Sequence, residues 1–196
     1  MLKSKLYGFA AICLSLMSGQ AISAMPSPVA ATFTATVTDV TCQMSIADGS
    51  GNSSETSLTL PIGSGGQVQA EQIAAGGSAV STSFKLLAKN CSQALKDITT
   101  TLTTTAVSGS TVMIANTATD APASGVALSL ATQANSTSPL TLNSALNTGT
   151  LGWAIATGDT SASAEADLVA TLVETQSGAA TAGAFQALVT FNFLYE

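Results

Sequence analysis

The chain has no histidine and no arginine; its basic residues are the lysines Lys3, Lys5, Lys85, Lys89 and Lys96. Without histidine it lacks the side chain most used for proton transfer near neutral pH and the commonest metal ligand. Without arginine it lacks the planar clamp that grips carboxylates and phosphates in two places at once. Charge is scarce altogether: charged residues are 8% of the 196, and the formal net charge is −6. Binding to nucleic acid by charge needs clustered cations, so a nucleic-acid partner is excluded. The acids are scattered singly, with no nucleophile–base pair and no metal-ligand cluster. These absences argue against an enzyme, a cofactor or a metal site. What is present is a chain rich in Ala, Thr, Ser and Gly, with 46% hydrophobic residues. That is enough apolar side chain for one core and too much for a disordered chain.

Only one long apolar run exists. Lys3 and Lys5 precede the stretch from Leu6 to Met17, and Ala21-Ile22-Ser23-Ala24 follows it. A charged start, an apolar centre and small residues at the end are the three parts of a secretory signal peptide. The run is shorter than the ~20 apolar residues a membrane-spanning helix needs. The expectation is export, cleavage after Ala24 with Ala21 as the alternative site, and no membrane insertion. Residues 25–196 then hold three lysines against eleven acids, a net −8. Cys13 leaves with the signal; Cys42 and Cys91 remain. Two cysteines in an oxidising compartment read as one disulfide, with two buried free thiols as the alternative. A structural metal would need ligands that two cysteines without histidine do not supply.

The remaining chain is patterned for strands. Val29, Ala31, Phe33, Ala35 and Val37 alternate with Ala30, Thr32, Thr34, Thr36 and Thr38, a period of two. Leu58, Leu60 and Ile62 alternate up to and past Pro61, which suits an edge strand or a strand end. Phe84, Leu86 and Ala88 lead to Asn90-Cys91. Further strands are expected at Ile98 to Val107, at Val126 to Leu130, at Leu140-Thr141-Leu142 and at Leu168 to Val173. Turns are expected at Asp48-Gly49 and the residues to Ser54, at Gly63 to Gly66, and at Ser177 to Gly183. Residues Ala156 to Asp167 read equally as a helical turn or a loop. Phe185, Ala187, Val189, Phe191, Phe193 and Tyr195 alternate to the end of the chain. Trp153, the single tryptophan, is expected to pack rather than to serve as a ligand platform. Many short strands with turns between them indicate one all-β sandwich or barrel. A long alternating strand at each end leaves exposed edges that invite a strand from another molecule.

Four stretches together carry a resemblance. They are Phe33-x-Ala35-x-Val37-x-Asp39-x-x-Cys42, then Leu58-x-Leu60-Pro61, then Phe84-x-Leu86-x-Ala88-x-Asn90-Cys91, and finally Gly183-x-Phe185-x-Ala187-x-Val189-x-Phe191-x-Phe193-x-Tyr195. In this order, behind a signal peptide, the sequence resembles the subunits of chaperone–usher fimbriae of the type 1 and P-like kind. Residues 105–165 are only loosely similar, and Ala35 stands where many of those subunits have Gly. The resemblance implies an incomplete immunoglobulin-like β-sandwich, lacking its last strand and completed by donor-strand exchange. It implies a Cys42–Cys91 disulfide and three segments: the signal at 1–24, a donor extension at 25–37, and a pilin domain at 38–196. The inserting face would be Val29, Ala31, Phe33, Ala35 and Val37. The acceptor groove, also the chaperone contact, would be Phe185, Ala187, Val189, Phe191, Phe193 and Tyr195. The implied partners are identical or related pilin subunits, a periplasmic chaperone, an outer-membrane usher and a host-surface receptor. The implied role is a structural subunit of a surface fimbria, with a minor or adaptor subunit of adhesin type as the alternative.

Overall fold

The computed structural model describes residues 29–38, 42–49 and 55–196. The expected signal peptide, its cleavage site, the first residues of the extension and most of the Asp48–Ser54 turn lie outside these. Two sheets pack face to face. The first contains β1 (Val29–Thr38), β3 (Ser57–Pro61), β4 (Gln67–Val68), β6 (Ile98–Thr104), β9 (Ala145–Leu146) and β12 (Ala184–Tyr195). Its order is β3-β1-β12-β6-β9, with β4 also pairing to β1. The second contains β2 (Gln43–Asp48), β5 (Ser81–Cys91), β7 (Val126–Thr132), β8 (Asn135–Pro139), β10 (Ala154–Thr157) and β11 (Ala162–Glu174). Its order is β2-β5-β11-β7-β8, with β10 also pairing to β11. The short helices α1 (Ala70–Ala75) and α2 (Thr148–Leu151) lie in connections. The fold is all-β and immunoglobulin-like.

The alternation read from the sequence is the packing. Phe84, Leu86 and Ala88 on β5 are buried against Phe185, Ala187, Val189 and Phe191 on β12 and against Phe33 on β1. Alternate side chains point to opposite faces of a strand, so one period-2 row per strand suffices to fill the space between two sheets. Pro61 ends β3, which forms an edge of the first sheet; proline has no N–H to give a ladder there. Trp153 is buried, donates its indole N–H to Thr100 Oγ1 (3.0 Å), and meets Phe193 edge-on at 6.0 Å.

Two expectations are corrected. Leu140 to Leu142 is not a strand. Leu140 and Leu142 are buried, but their N–H groups go to different places, to Leu130 O (2.7 Å) and Thr111 O (2.8 Å), so no ladder forms. The stretch from Ala156 to Asp167 is neither a helical turn nor a plain loop. It is the end of β10, a tight turn closed by Gly158 N–H to Ser161 O (2.9 Å), and the start of β11.

Cys42 and Cys91 form a disulfide, with Cα atoms 4.3 Å apart. It ties the entrance of β2 to the end of its partner β5. Among the described residues no helix is long and apolar enough to cross a membrane.

Candidate functional site

The two ends of the chain meet in the first sheet. β1 lies between β3 and β12, antiparallel to the former and parallel to the latter. Among the described residues, every other pairing between strands of the two sheets is antiparallel. Parallel neighbours need a long crossover; here the crossover is the rest of the domain, because β1 and β12 belong to opposite ends. Among the described residues, β3 and β4 are joined to the rest of this sheet only through β1. The seam between β3 and β12 is therefore filled by the chain's own N-terminal strand.

The side chains at the seam fit by size. Ala31 is in register with Phe185, Phe33 with Ala187, and Ala35 with Val189. On the other side Phe33 faces Leu60 and Ala35 faces Leu58. Small stands beside large along β12, which lets the inner row close without voids. Ala31, Phe33 and Ala35 are all buried. The Phe33 ring reaches across to Phe84 on the opposite sheet, and Phe84 in turn meets Phe191, with centroids 5.4 Å and 6.0 Å apart. The backbone entry is held by Ala31 N–H on Gly66 O (3.2 Å).

The structure thus brings Ala31, Phe33 and Ala35 together with Phe185, Ala187 and Val189. Val29 and Val37 lie on β1 in matching positions, Val37 in register with Phe191. Among the described residues the β1–β12 register runs as far as Thr38 opposite Asn192, one residue short of Phe193. Phe193 and Tyr195 form an aromatic stack with Trp153: the Phe193 and Tyr195 rings lie 6.5 Å apart and nearly parallel. Tyr195 also borders a hollow of about 210 Å³ beside Cys42 and Leu95.

Sequence reading missed what seats β12. Asn116 spends all its hydrogen-bonding capacity there. Its Nδ2 donates to Ala123 O (2.9 Å) and Ala184 O (2.8 Å), and its Oδ1 accepts from Ala118 and Gln186 N–H, each at 3.0 Å. Gly183, the first residue of the C-terminal signature, lies so close to the loop before β7 that a Cβ would sit 2.6 Å from Ala121 O. No residue but glycine fits there without displacing backbone.

Charge gathers away from the seam. Lys85 on β5 lies between two carboxylates of β11. Its ammonium is hydrogen-bonded to Glu165 and forms an ion pair with Asp167 at 2.9 Å. These contacts, the Glu165 bond first, hold the lysine above its usual range. Asp97 is held below the usual carboxylate range by the Thr148 hydroxyl and, further, by backbone N–H groups. The hollow of about 950 Å³ beside Glu165 and Asp167 is lined by small and polar side chains together with Pro139, Leu140 and Leu151, and holds no aromatic residue. Among the described residues no three His, Cys, Asp or Glu side chains gather to hold a metal.

The fold is thus an immunoglobulin-like sandwich with one disulfide, its seam filled by the chain's own N-terminal strand. The sequence profile of the family described as "Fimbrial protein" matches residues 31–196, and the chain belongs to that family. Its fold is similar to that of the P pilus rod subunit PapA. The TM-score is 0.52 at 18% identity, over 80% of this chain and 100% of that one. A lesser similarity, to the CupB6 tip adhesin of Pseudomonas aeruginosa, has a TM-score of 0.39 at 11% identity. It spans 57% of this chain and 35% of that one, and is too slight to bear on function. No curated protein sequence matches. The chain is a structural subunit of a surface fimbria and associates with other pilin subunits.

Proposed function

We propose that this subunit polymerises by strand exchange, with residues 25–37 as donor and the seam between β3 and β12 as acceptor. The observation that supports it is that, among the described residues, β3 is held in the first sheet through β1 alone. A strand that comes from one end of the chain and bonds to no third strand of its own sheet besides the short β4 can be supplied by another copy just as well. The inserting face would be Val29, Ala31, Phe33, Ala35 and Val37. Phe185, Ala187, Val189 and Phe191 would form the floor of the groove, with Phe193 and Tyr195 at its far end. Before assembly a periplasmic chaperone would lend a strand to the same groove. An outer-membrane usher would then carry the subunit to the cell surface, where a host receptor could be engaged by the finished fibre.

Covering about 400 Å² of apolar groove stabilises by on the order of 10 kcal/mol before ordering costs. That equals the whole stability of an ordinary domain. The test is thermal unfolding of the domain without residues 25–37, with and without the same segment fused after Glu196 through a flexible linker. The fused strand should raise the melting temperature greatly and leave a monomer that does not polymerise. If the two proteins melt within a few degrees of each other, the sandwich needs no donor and the proposal fails.

A further inference from the structure

β10 and β7 pair with the same edge of β11 and leave a gap between them. The β10 ladder ends at Ala154 opposite Glu165, and the β7 ladder starts at Thr132 opposite Leu168. The hollow of about 950 Å³ opens at this gap. Its walls are the β7–β8 turn, α2 and the start of β10, and β11 contributes Glu165 and Asp167. The walls are held from behind. Gln133 N–H donates to Asp167 O (2.9 Å), Asn135 N–H to Thr132 Oγ1 (3.2 Å), and Leu140 N–H to Leu130 O (2.7 Å). Asn147 caps α2 by accepting from Thr150 N–H (2.8 Å), and Gly152 ends the helix in the left-handed region, at φ 77°. Leu151 and Trp153, both buried, pin that end to the core. Glu165 and Asp167 each turn one oxygen, Oε1 and Oδ1, to Lys85. Among the described residues their other oxygens accept no hydrogen bond, and the side chains of Gln133, Ser138 and Thr141 make none either.

We propose that this hollow binds a neutral saccharide. The inference does not rest on strand exchange, because no residue of β1, β3 or β12 lines the hollow. The lining selects the ligand. Gln133, Asn135, Ser138, Thr141 and Thr150 offer amides and hydroxyls, which both donate and accept. The two ionised carboxylates only accept. A sugar hydroxyl serves both kinds of partner: it gives its proton to a carboxylate and takes one from an amide or a second hydroxyl. An ammonium ligand only donates, so it would leave the amide and hydroxyl donors unmatched, and Lys85 already neutralises part of the carboxylate charge. An anionic ligand would meet two carboxylates and no lining cation, in a chain of net charge −6, and is repelled. A flat aromatic ligand finds no ring to stack on. Pro139 and Ala154 supply apolar surface for the C–H face of a sugar ring. The volume lies within the ~300–1,000 Å³ range of small-molecule sites and suits a short oligosaccharide. Walls built on a capped helix and a bonded turn lose little freedom on binding. One open site holds a sugar weakly, and copies repeated along a fibre gain avidity by multivalency.

The test lays the full chain, recovered from the cell surface, over immobilised neutral oligosaccharides from two sources, mammalian surface glycans and bacterial exopolysaccharides, and over sialylated and uronate-bearing counterparts. Wild type should be retained on a neutral saccharide, be released by the same sugar in free form, and stay bound in molar salt, where adsorption by charge is screened. Retention on either source supports the inference and shows which surface carries the ligand. Glu165→Gln and Asp167→Asn keep the shape and turn an acceptor oxygen into a donor; each should weaken binding about tenfold or more. Ala154→Arg, at an exposed position in register with Glu165, fills the hollow and occupies its carboxylates, and should abolish retention. Melting temperature and the ladder of multimers in unheated detergent, both expected to match wild type in Ala154→Arg, keep a loss of binding distinct from a loss of folding or of strand exchange. Retention on no neutral saccharide, preference for the acidic counterparts, release by molar salt, or wild-type retention by Ala154→Arg would each overturn the inference.

Discussion

The rings of Phe33 and Phe84 pack at 5.4 Å and 51° across the two sheets, joining the N-terminal strand to the core of the domain. Phe33 is fully buried. Truncating a buried Phe to Ala costs about 3–5 kcal/mol, so Phe33→Ala should lower the melting temperature of the isolated subunit markedly. Phe33→Asp places an unpaired charge among Leu60, Ala187 and Phe84 and should abolish capping of a neighbouring subunit. Fibres of normal length from the Phe33→Asp strain would sink the assignment of this strand as donor.

Asn116 is the stitch between the 105–125 connection and the first residues of β12. Asn116→Ala removes four hydrogen bonds and leaves the Ala184 carbonyl and the Gln186 N–H without that partner. A loss of about 1–3 kcal/mol is expected, read as a lower denaturant midpoint with an unchanged slope. Hydrogen exchange should quicken at Gln186 and Ala118 before it does at β5. Unchanged exchange at both amides would show that the loop is held by other contacts.

Asp97 gives an acid-limb prediction. Its carboxyl is held below the usual carboxylate range, chiefly by the Thr148 hydroxyl. A group with a lowered folded-state pKa adds stability that is present above its unfolded pKa and lost as pH falls through its folded one. The wild type should therefore lose stability from this source below about pH 4. Asp97→Asn should be less stable near neutral pH and show a shallower acid limb in urea melts taken between pH 5 and pH 2. Parallel limbs in the two proteins would contradict this.

Much of the seam was legible because strand alternation is a one-dimensional code. A row such as Ala31, Phe33, Ala35 or Phe185, Ala187, Val189 states its buried face without reference to anything distant. The pairing of the two rows was not legible, since neither their direction nor their register is written in either strand alone. The parallel run of β1 along β12 depends on where the domain places both strands. Polar strands were invisible for a different reason. β8 is Asn135–Pro139, exposed throughout, and offers no apolar period to detect. Leu140 and Leu142 misled because burial alternates in any extended segment lying on a core, whether or not a ladder forms. Asn116 stood in a stretch with no periodicity, and its role exists only through four backbone partners, two of which, Ala184 and Gln186, lie 68 and 70 residues away.

The strand that closes the seam is tethered to the groove it fills. Three residues, 39–41, separate β1 from Cys42, which the disulfide anchors to β5. A short tether presents its strand at an effective concentration in the millimolar range, far above that of any free subunit in dilute solution. Under strand exchange, a second copy must wait for this internal strand to let go. The slow step is then a property of one molecule, so the half-time of joining is nearly independent of how many subunits are present. Under the same reading the parallel pairing, slightly weaker per residue than the antiparallel one a separate strand is free to adopt, would make the self-closed monomer a holding state for any subunit not already carried by a chaperone.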